Sequence, residues 1–389
     1  MGGRVRAGAR VGTSEESDGM RHHDLHDDGD EIPAGAAASE APPASASVPS
    51  GERVSEAESP PREKPGVLGA KWRTLRELNL PAEPPPRRYL LQRPSEQQDD
   101  SVHEQGFLPL GKVGMLAAAG GAGKTMALVQ LAVSVATGRK WLGHYGVPMG
   151  SRGRVVLALA EEDQDEAHRR LYAVRRGLDL SEREWADVLD RITLLPLAGD
   201  DVRLVAQGKD GQAEETPVFR ELRERLASMG DDVRLVVLDP LSRWAGAETE
   251  TDNHAATRFI TAVESLTRSP GNPTVLLSHH TTKAARQGMG AGEATAARGA
   301  SALTDGVRWV ANLVKSDGVL SLSLVKTNYT APAEDCPLKR EDGGVLRAPT
   351  EAERRDAERS RESGRSGSKT NGKSKEKKGS EDAEDINAF

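Results

Sequence analysis

The sequence predicts an α/β fold with a mainly parallel central sheet, helices on both faces and a C-terminal β-hairpin. Three observations carry that reading. Apolar runs of strand length alternate with amphipathic helical stretches between about residues 107 and 347. One of those runs, 113–118, leads directly into a glycine-rich loop and then a helix. Near the end of the region, Asp317-Gly318 separates two apolar runs, a strong hairpin signal.

Taken in chain order, residues 113–118 read as a buried strand and 125–137 as a helix. A second strand is expected at 154–160, followed by a charged helix through Arg175. The third strand falls at 191–198, and a helix at 216–228 leads into a strand at 234–238. Residues 255–267 read as helix, 274–278 as strand, and 308–314 with 319–326 as the hairpin. Strand–helix–strand alternation of this kind pairs strands in parallel through crossovers. Upstream, 71–78 reads as a short amphipathic helix ended before Pro81, and 84–91 as an extended arm onto the main domain.

Apolar residues make up 36% of the 389-residue chain and aromatics 3%, a dilution that places the core in the middle of the sequence. The segment 1–65 is rich in Ala, Pro, Ser, Gly and acidic residues, and 348–389 is polar and mixed in charge. Neither can bury enough apolar surface to offset its ordering entropy, so both are expected to be disordered. The expected organisation is a disordered leader (1–65), an N-terminal arm (66–106), an α/β domain (107–347) and a charged tail (348–389).

A formal net charge of −7 carries no global nucleic-acid signature, so any such contact must be local. The single cysteine, Cys336, excludes an internal disulfide and a cysteine-rich metal site, and it fits a reducing cytoplasm. The longest apolar stretch, 126–136, is interrupted by Gln130 and Ser134 and falls short of the ~20 residues a membrane span needs. The N-terminus lacks the apolar segment of a signal peptide. A soluble, cytoplasmic protein with no membrane partner is expected.

The chemistry concentrates at strand ends. Ala118-Ala119-Gly120-Gly121-Ala122-Gly123-Lys124-Thr125 lies between a strand and a helix, where a Walker A loop belongs, although Ala118 replaces the usual first glycine. Its glycines let backbone N–H groups turn toward phosphates at the positive end of the helix. Gly120, Gly121, Ala122, Gly123, Lys124, Thr125 and the adjoining Met126 form the candidate nucleotide-binding set. Lys124 can reach the β and γ oxygens, and the Thr125 hydroxyl can ligate Mg²⁺. Leu235-Val236-Val237-Leu238-Asp239 has the form of a Walker B strand, whose Asp239 would hold the same ion through water.

Pro240 follows Asp239, so the catalytic carboxylate that often occupies that position must come from elsewhere. Glu161 at the end of the neighbouring predicted strand is the candidate, with Glu162 as reserve. The alternative is that Glu161, Glu162 and Asp163 only cap the following helix. The strand 275–278 ends in His279-His280, which lacks a third ligand for a metal site and suits a γ-phosphate sensor. The loop 281–297 is Gly/Ala-rich and carries Lys283 and Arg286, a composition suited to contacting a nucleic-acid backbone or to a floppy insertion.

The ordered motifs Ala-Gly-Gly-Ala-Gly-Lys-Thr (119–125), Ala-Glu-Glu-Asp (160–163), His-Arg-Arg-Leu (168–171) and Leu-Asp-Pro-Leu (238–241) continue into Ser-His-His (278–280). Arg-Gly-Ala-Ser (298–301), Arg-Trp (308–309) and Lys-Thr-Asn-Tyr (326–329) complete the series. Together they resemble the RecA-like AAA-family ATPases of phages and mobile elements, and within them the RepA-type hexameric replicative helicases of plasmids. The resemblance implies a RecA-like P-loop NTPase fold, ATP with Mg²⁺ as cofactors, and a homohexamer with ATP sites between subunits. Lys124, Thr125, Glu161, Asp239 and His279 or His280 would act in cis. Arg298 matches the family's conserved arginine that reaches a neighbour's γ-phosphate, and Lys326 would keep a role on the last hairpin. Single-stranded DNA would contact the loop 281–297. A regulatory ATPase that switches a protein partner is the competing reading, favoured by the acidic segment 245–252. A filament-forming recombinase fits less well, because nothing before residue 107 resembles a polymerisation element.

Overall fold

The computed structural model describes residues 68, 71–80, 82–94, 106–208, 213–280, 301–316, 318–357 and 359. The chain divides into two units, Met1–Thr74 and Leu75–Phe389, and among the described residues all strands and helices belong to the second. The predicted leader 1–65, the loop 281–297 and Arg298 lie outside the described residues. In the segment read as a charged tail, residues 351–357 are helical. Glu353 fastens this helix through Arg347 and Lys339, at 2.7 and 2.8 Å.

In chain order the elements are β1 (Tyr89–Gln92), β2 (Gly106–Pro109), β3 (Val113–Ala118), α1 (Lys124–Thr137), β4 (Arg154–Leu159), α2 (Gln164–Gly177), α3 (Glu182–Arg191) and β5 (Ile192–Pro196). They continue as β6 (Val205–Gln207), β7 (Ala213–Glu215), α4 (Pro217–Ser228), β8 (Val233–Asp239), α5 (Leu241–Ala245), α6 (Asn253–Leu266) and β9 (Thr274–His280). The last are α7 (Ser301–Gly306), β10 (Trp309–Ser316), β11 (Val319–Thr327), β12 (Cys336–Arg340) and β13 (Leu346–Arg347). The predicted helix at 71–78 is replaced by turns over 75–80, with Trp72 and Leu75 left 83% and 69% exposed. An amphipathic stripe this short has too few turns to hold a helix without a surface to bury against.

Nine strands form the central sheet in the order β13-β12-β11-β10-β3-β9-β8-β4-β5. From β10 to β5 every neighbouring pair is parallel, while β10 to β13 pair antiparallel. Period-two alternation divides the strand side chains between two cores. Leu116, Ala118, Leu157, Leu159 and Val237 face one side, which α1, α2 and α3 cover. Met115, Ala117, Val156, Ala158 and Leu238 face the other, which α4, α5, α6 and α7 cover. This is the RecA-like arrangement, a mostly parallel sheet with helices on both faces and an antiparallel C-terminal extension.

Helix α1 is buried nearly all round, as its unbroken apolar run requires. Its one interior amide, Gln130, is hydrogen-bonded through both its nitrogen and its oxygen. Nε2 donates to the Leu346 carbonyl at 2.8 Å, and Oε1 accepts from the Leu346 N–H at 2.9 Å. The arm reaches the domain as the β1–β2 ribbon. There Phe107 stacks on Tyr145 with ring centroids 3.9 Å apart and meets the edge of Trp309 at 5.5 Å.

Candidate active site

Register assembles the site at the C-terminal edge of the parallel strands. Ala118 at the tip of β3 lies opposite His280 of β9, and Leu159 at the tip of β4 lies opposite Asp239 of β8. Between β3 and α1 the loop turns through Gly121 and Gly123, with φ of 72° and 104°. Both values lie in the left-handed region that glycine enters without strain. A Cβ built on Gly120 or Gly121 would meet nothing within 4 Å, so both positions border open space. Gly123 caps α1 with no side chain of its own, leaving the first-turn N–H groups directed outward.

Lys124 is buried, and its Nζ lies 3.4 Å from His280 Nδ1. Thr125 Oγ1 donates to Asp239 Oδ2 at 2.7 Å. The other carboxylate oxygen, Oδ1, accepts a short hydrogen bond from Ser278 Oγ. A hydroxyl and a carboxylate held together at the foot of a phosphate loop are hard oxygen donors of the type Mg²⁺ takes. The residues present therefore fit a Mg²⁺-nucleotide. Among the described residues no group of three His, Cys, Asp or Glu side chains forms a separate metal site.

The two candidate glutamates separate clearly. Glu161 lines the cleft of about 270 Å³ together with Gly121, Lys124, Thr125, Asp239 and His280. Its carboxylate is half-exposed and meets Arg243 Nε at 3.5 Å, a weak and screened contact. Glu162 turns away to Arg170, at 2.7 Å, and burial raises its carboxyl above the ordinary value while Arg170 opposes the shift. The capping role falls to Asp163, whose Oδ1 accepts from the Glu166 N–H that opens α2 at 2.8 Å. Glu161 is thus free of the helix cap and faces the phosphate loop.

Strand periodicity also sorts the histidines. Ser278 and His280 share the face of β9 toward α1, whereas the buried His279 lies on the opposite face with Val275 and Leu277. The side chain beside Lys124 is therefore His280 and not His279, because a step of one residue along a strand reverses the face. Lys326 lies at the far end of the hairpin from the turn, and its Nζ donates to the Thr304 and Asp305 carbonyls at 2.7 and 2.9 Å. Burial lowers its pKa. It closes the end of α7 and is not among the residues lining the cleft.

Several residues in and beside the cleft are ones to which the sequence assigns no site role. Ser278 orients Asp239, Arg243 meets Glu161, and Arg170 holds Glu162. Arg340, at the end of β12, donates through Nη2 to the Gly121 carbonyl at 2.9 Å. Gly343 and Gly344 complete the wall. Only the Asp342-Gly343-Gly344 turn signal after Arg340 could have drawn attention to this region from sequence.

A phosphate loop between strand and buried helix, a lysine in its first helical turn, and a hydroxyl–carboxylate pair across neighbouring elements define a P-loop nucleotide-binding protein. The family model described as AAA domain matches residues 73–286, more than half of the chain. This chain belongs to that family and is a nucleotide-binding ATPase by its membership. Among the described residues no helix is long and apolar enough to cross a membrane.

Proposed function

We propose that this protein is a ring-forming, ATP-driven motor acting on single-stranded DNA, a RepA-like replicative helicase of a plasmid, phage or mobile element. The observation that carries the hydrolytic part is the position of Glu161. It faces Lys124, Thr125 and Asp239 across one cleft from the tip of the strand beside the Asp239 strand. Glu161 orients the attacking water and accepts its proton, a role the proline after Asp239 denies to that position. Lys124 and the outward N–H groups of the loop balance the charge that develops on the γ-phosphoryl oxygens. Thr125 and Asp239 would hold Mg²⁺, which would supply further neutralisation of the phosphate charge when bound.

The motor reading rests on the ordered motif series shared with RepA-type helicases. In a homohexamer, Arg298 and Lys326 of one subunit would complete the site of the next, and the loop 281–297 would contact DNA in the central channel. Mass photometry with Mg²⁺-ATP tests the assembly, since a species of six subunits is expected and a monomer at all concentrations would sink the ring. Titration with single-stranded DNA at two salt concentrations tests the substrate, because phosphate contacts must weaken as salt rises.

A regulatory ATPase is the second reading, and one observation favours it. The segment after α5 carries Glu248, Glu250 and Asp252, an acidic stretch poorly suited to a DNA backbone. An ATPase rate indifferent to DNA, together with a nucleotide-dependent protein partner, would support that reading over the motor.

A further inference from the structure

The strap formed by β12, β13 and their turn is built into the nucleotide site. Strand β12 runs antiparallel to β11, which is antiparallel to β10, so β12 points the same way as β3. Its last residue, Arg340, therefore arrives at the same sheet edge as the phosphate loop. The strap is fixed from both sides. Leu346 is locked to Gln130 of α1, and the Glu341 N–H donates to the Val345 carbonyl at 2.7 Å. Gly343, with φ of 72°, presses so closely on α2 that a Cβ there would lie 2.8 Å from Ala173 Cβ.

From this rigid base the Arg340 side chain reaches over the loop. Its Nη2 donates to the Gly121 carbonyl and would stand 3.1 Å from a Cβ on Gly123. Arg340 and Lys124 line one cleft with Thr125 and Asp239. A guanidinium carries five donors, and the one contact to Gly121 leaves donors for phosphate oxygens.

We propose that Arg340 is a phosphate-binding residue of the nucleotide site, a guanidinium contributed in cis by the C-terminal strap. This inference rests on the nucleotide-binding reading of the cleft. It makes the strap part of ligand recognition and gives the site a cation beyond Lys124 from the same subunit.

The test is the affinity of the full-length chain for Mg²⁺-ATP and Mg²⁺-ADP, by calorimetry, for wild type, Arg340→Gln, Arg340→Lys and Arg340→Ala. Glutamine keeps N–H donors but carries no charge, and lysine keeps a charge without the planar fork, so the pair separates charge from hydrogen-bond geometry. Arg340 is exposed, and thermal melting verifies that each variant is folded. Arg340→Gln and Arg340→Ala are expected to weaken nucleotide binding about tenfold or more, with Arg340→Lys between them and wild type. Wild-type affinity in Arg340→Gln would overturn the phosphate contact and leave the site reading intact. A wild-type protein that binds neither nucleotide would overturn both.

Discussion

Thr125 Oγ1 donates to Asp239 Oδ2 across 2.7 Å, tying the first turn of α1 to the tip of β8. The two residues come from separate motifs, and the parallel register of β3, β9, β8 and β4 brings them together. Each is expected to contribute to Mg²⁺-nucleotide binding through the other. Thr125→Ala and Asp239→Asn should each weaken Mg²⁺-ATP affinity about 10- to 100-fold. The double variant should lose less than the product of the two, as a shared ion site requires. Calorimetry with Mg²⁺ and with EDTA measures this, and independent multiplicative losses would argue against a shared ion.

Glu161 and Glu162 are adjacent in sequence but have different surroundings. Glu161→Gln is expected to lower ATP turnover at least about 100-fold while leaving affinity nearly unchanged. Glu162→Gln, which alters a pair with Arg170, should keep turnover within about threefold of wild type. Steady-state rates beside equilibrium binding distinguish the two, and a larger loss in Glu162→Gln would reverse the assignment.

The same contrast applies to the histidines. His280→Ala is expected to reduce turnover about tenfold by removing the group beside Lys124, with little effect on melting. His279→Ala should instead cost about 1–3 kcal/mol of stability, because the side chain is buried on the opposite face. Paired measurements of melting temperature and rate decide which histidine belongs to which role.

Gln130 provides a test of the strap. Gln130→Leu would leave both the N–H and the carbonyl of Leu346 buried without their side-chain partner. A loss of about 2–4 kcal/mol in urea unfolding is expected. An unchanged midpoint would mean that the strap is not held through α1.

The parallel core was legible in the sequence because its signals are local. Strand-length apolar runs, a glycine loop and capped amphipathic helices fall at 113–118, 154–160, 234–238 and 274–278, within a residue or two of β3, β4, β8 and β9. The strap was not legible. β12 is short, half polar and begins Cys336-Pro337, so it makes a strand only because β11 offers an edge. Gln130 interrupts an apolar stretch in the sequence, yet it is the residue that fastens that edge to α1. Among the candidate site residues, strand tips could be located from pattern, but the face each side chain takes could not. That choice depends on register, which is why the sequence leaves two adjacent histidines or glutamates as alternatives.

The most direct test of the motor reading is the ATPase rate with and without single-stranded DNA, for wild type and Glu161→Gln. A wild-type rate that rises severalfold with DNA, and a Glu161→Gln protein that binds ATP and DNA but turns over in neither condition, is the expected result. A Glu161→Gln protein with the wild-type rate, or a hexamer whose rate ignores DNA and which separates no strands, would contradict it.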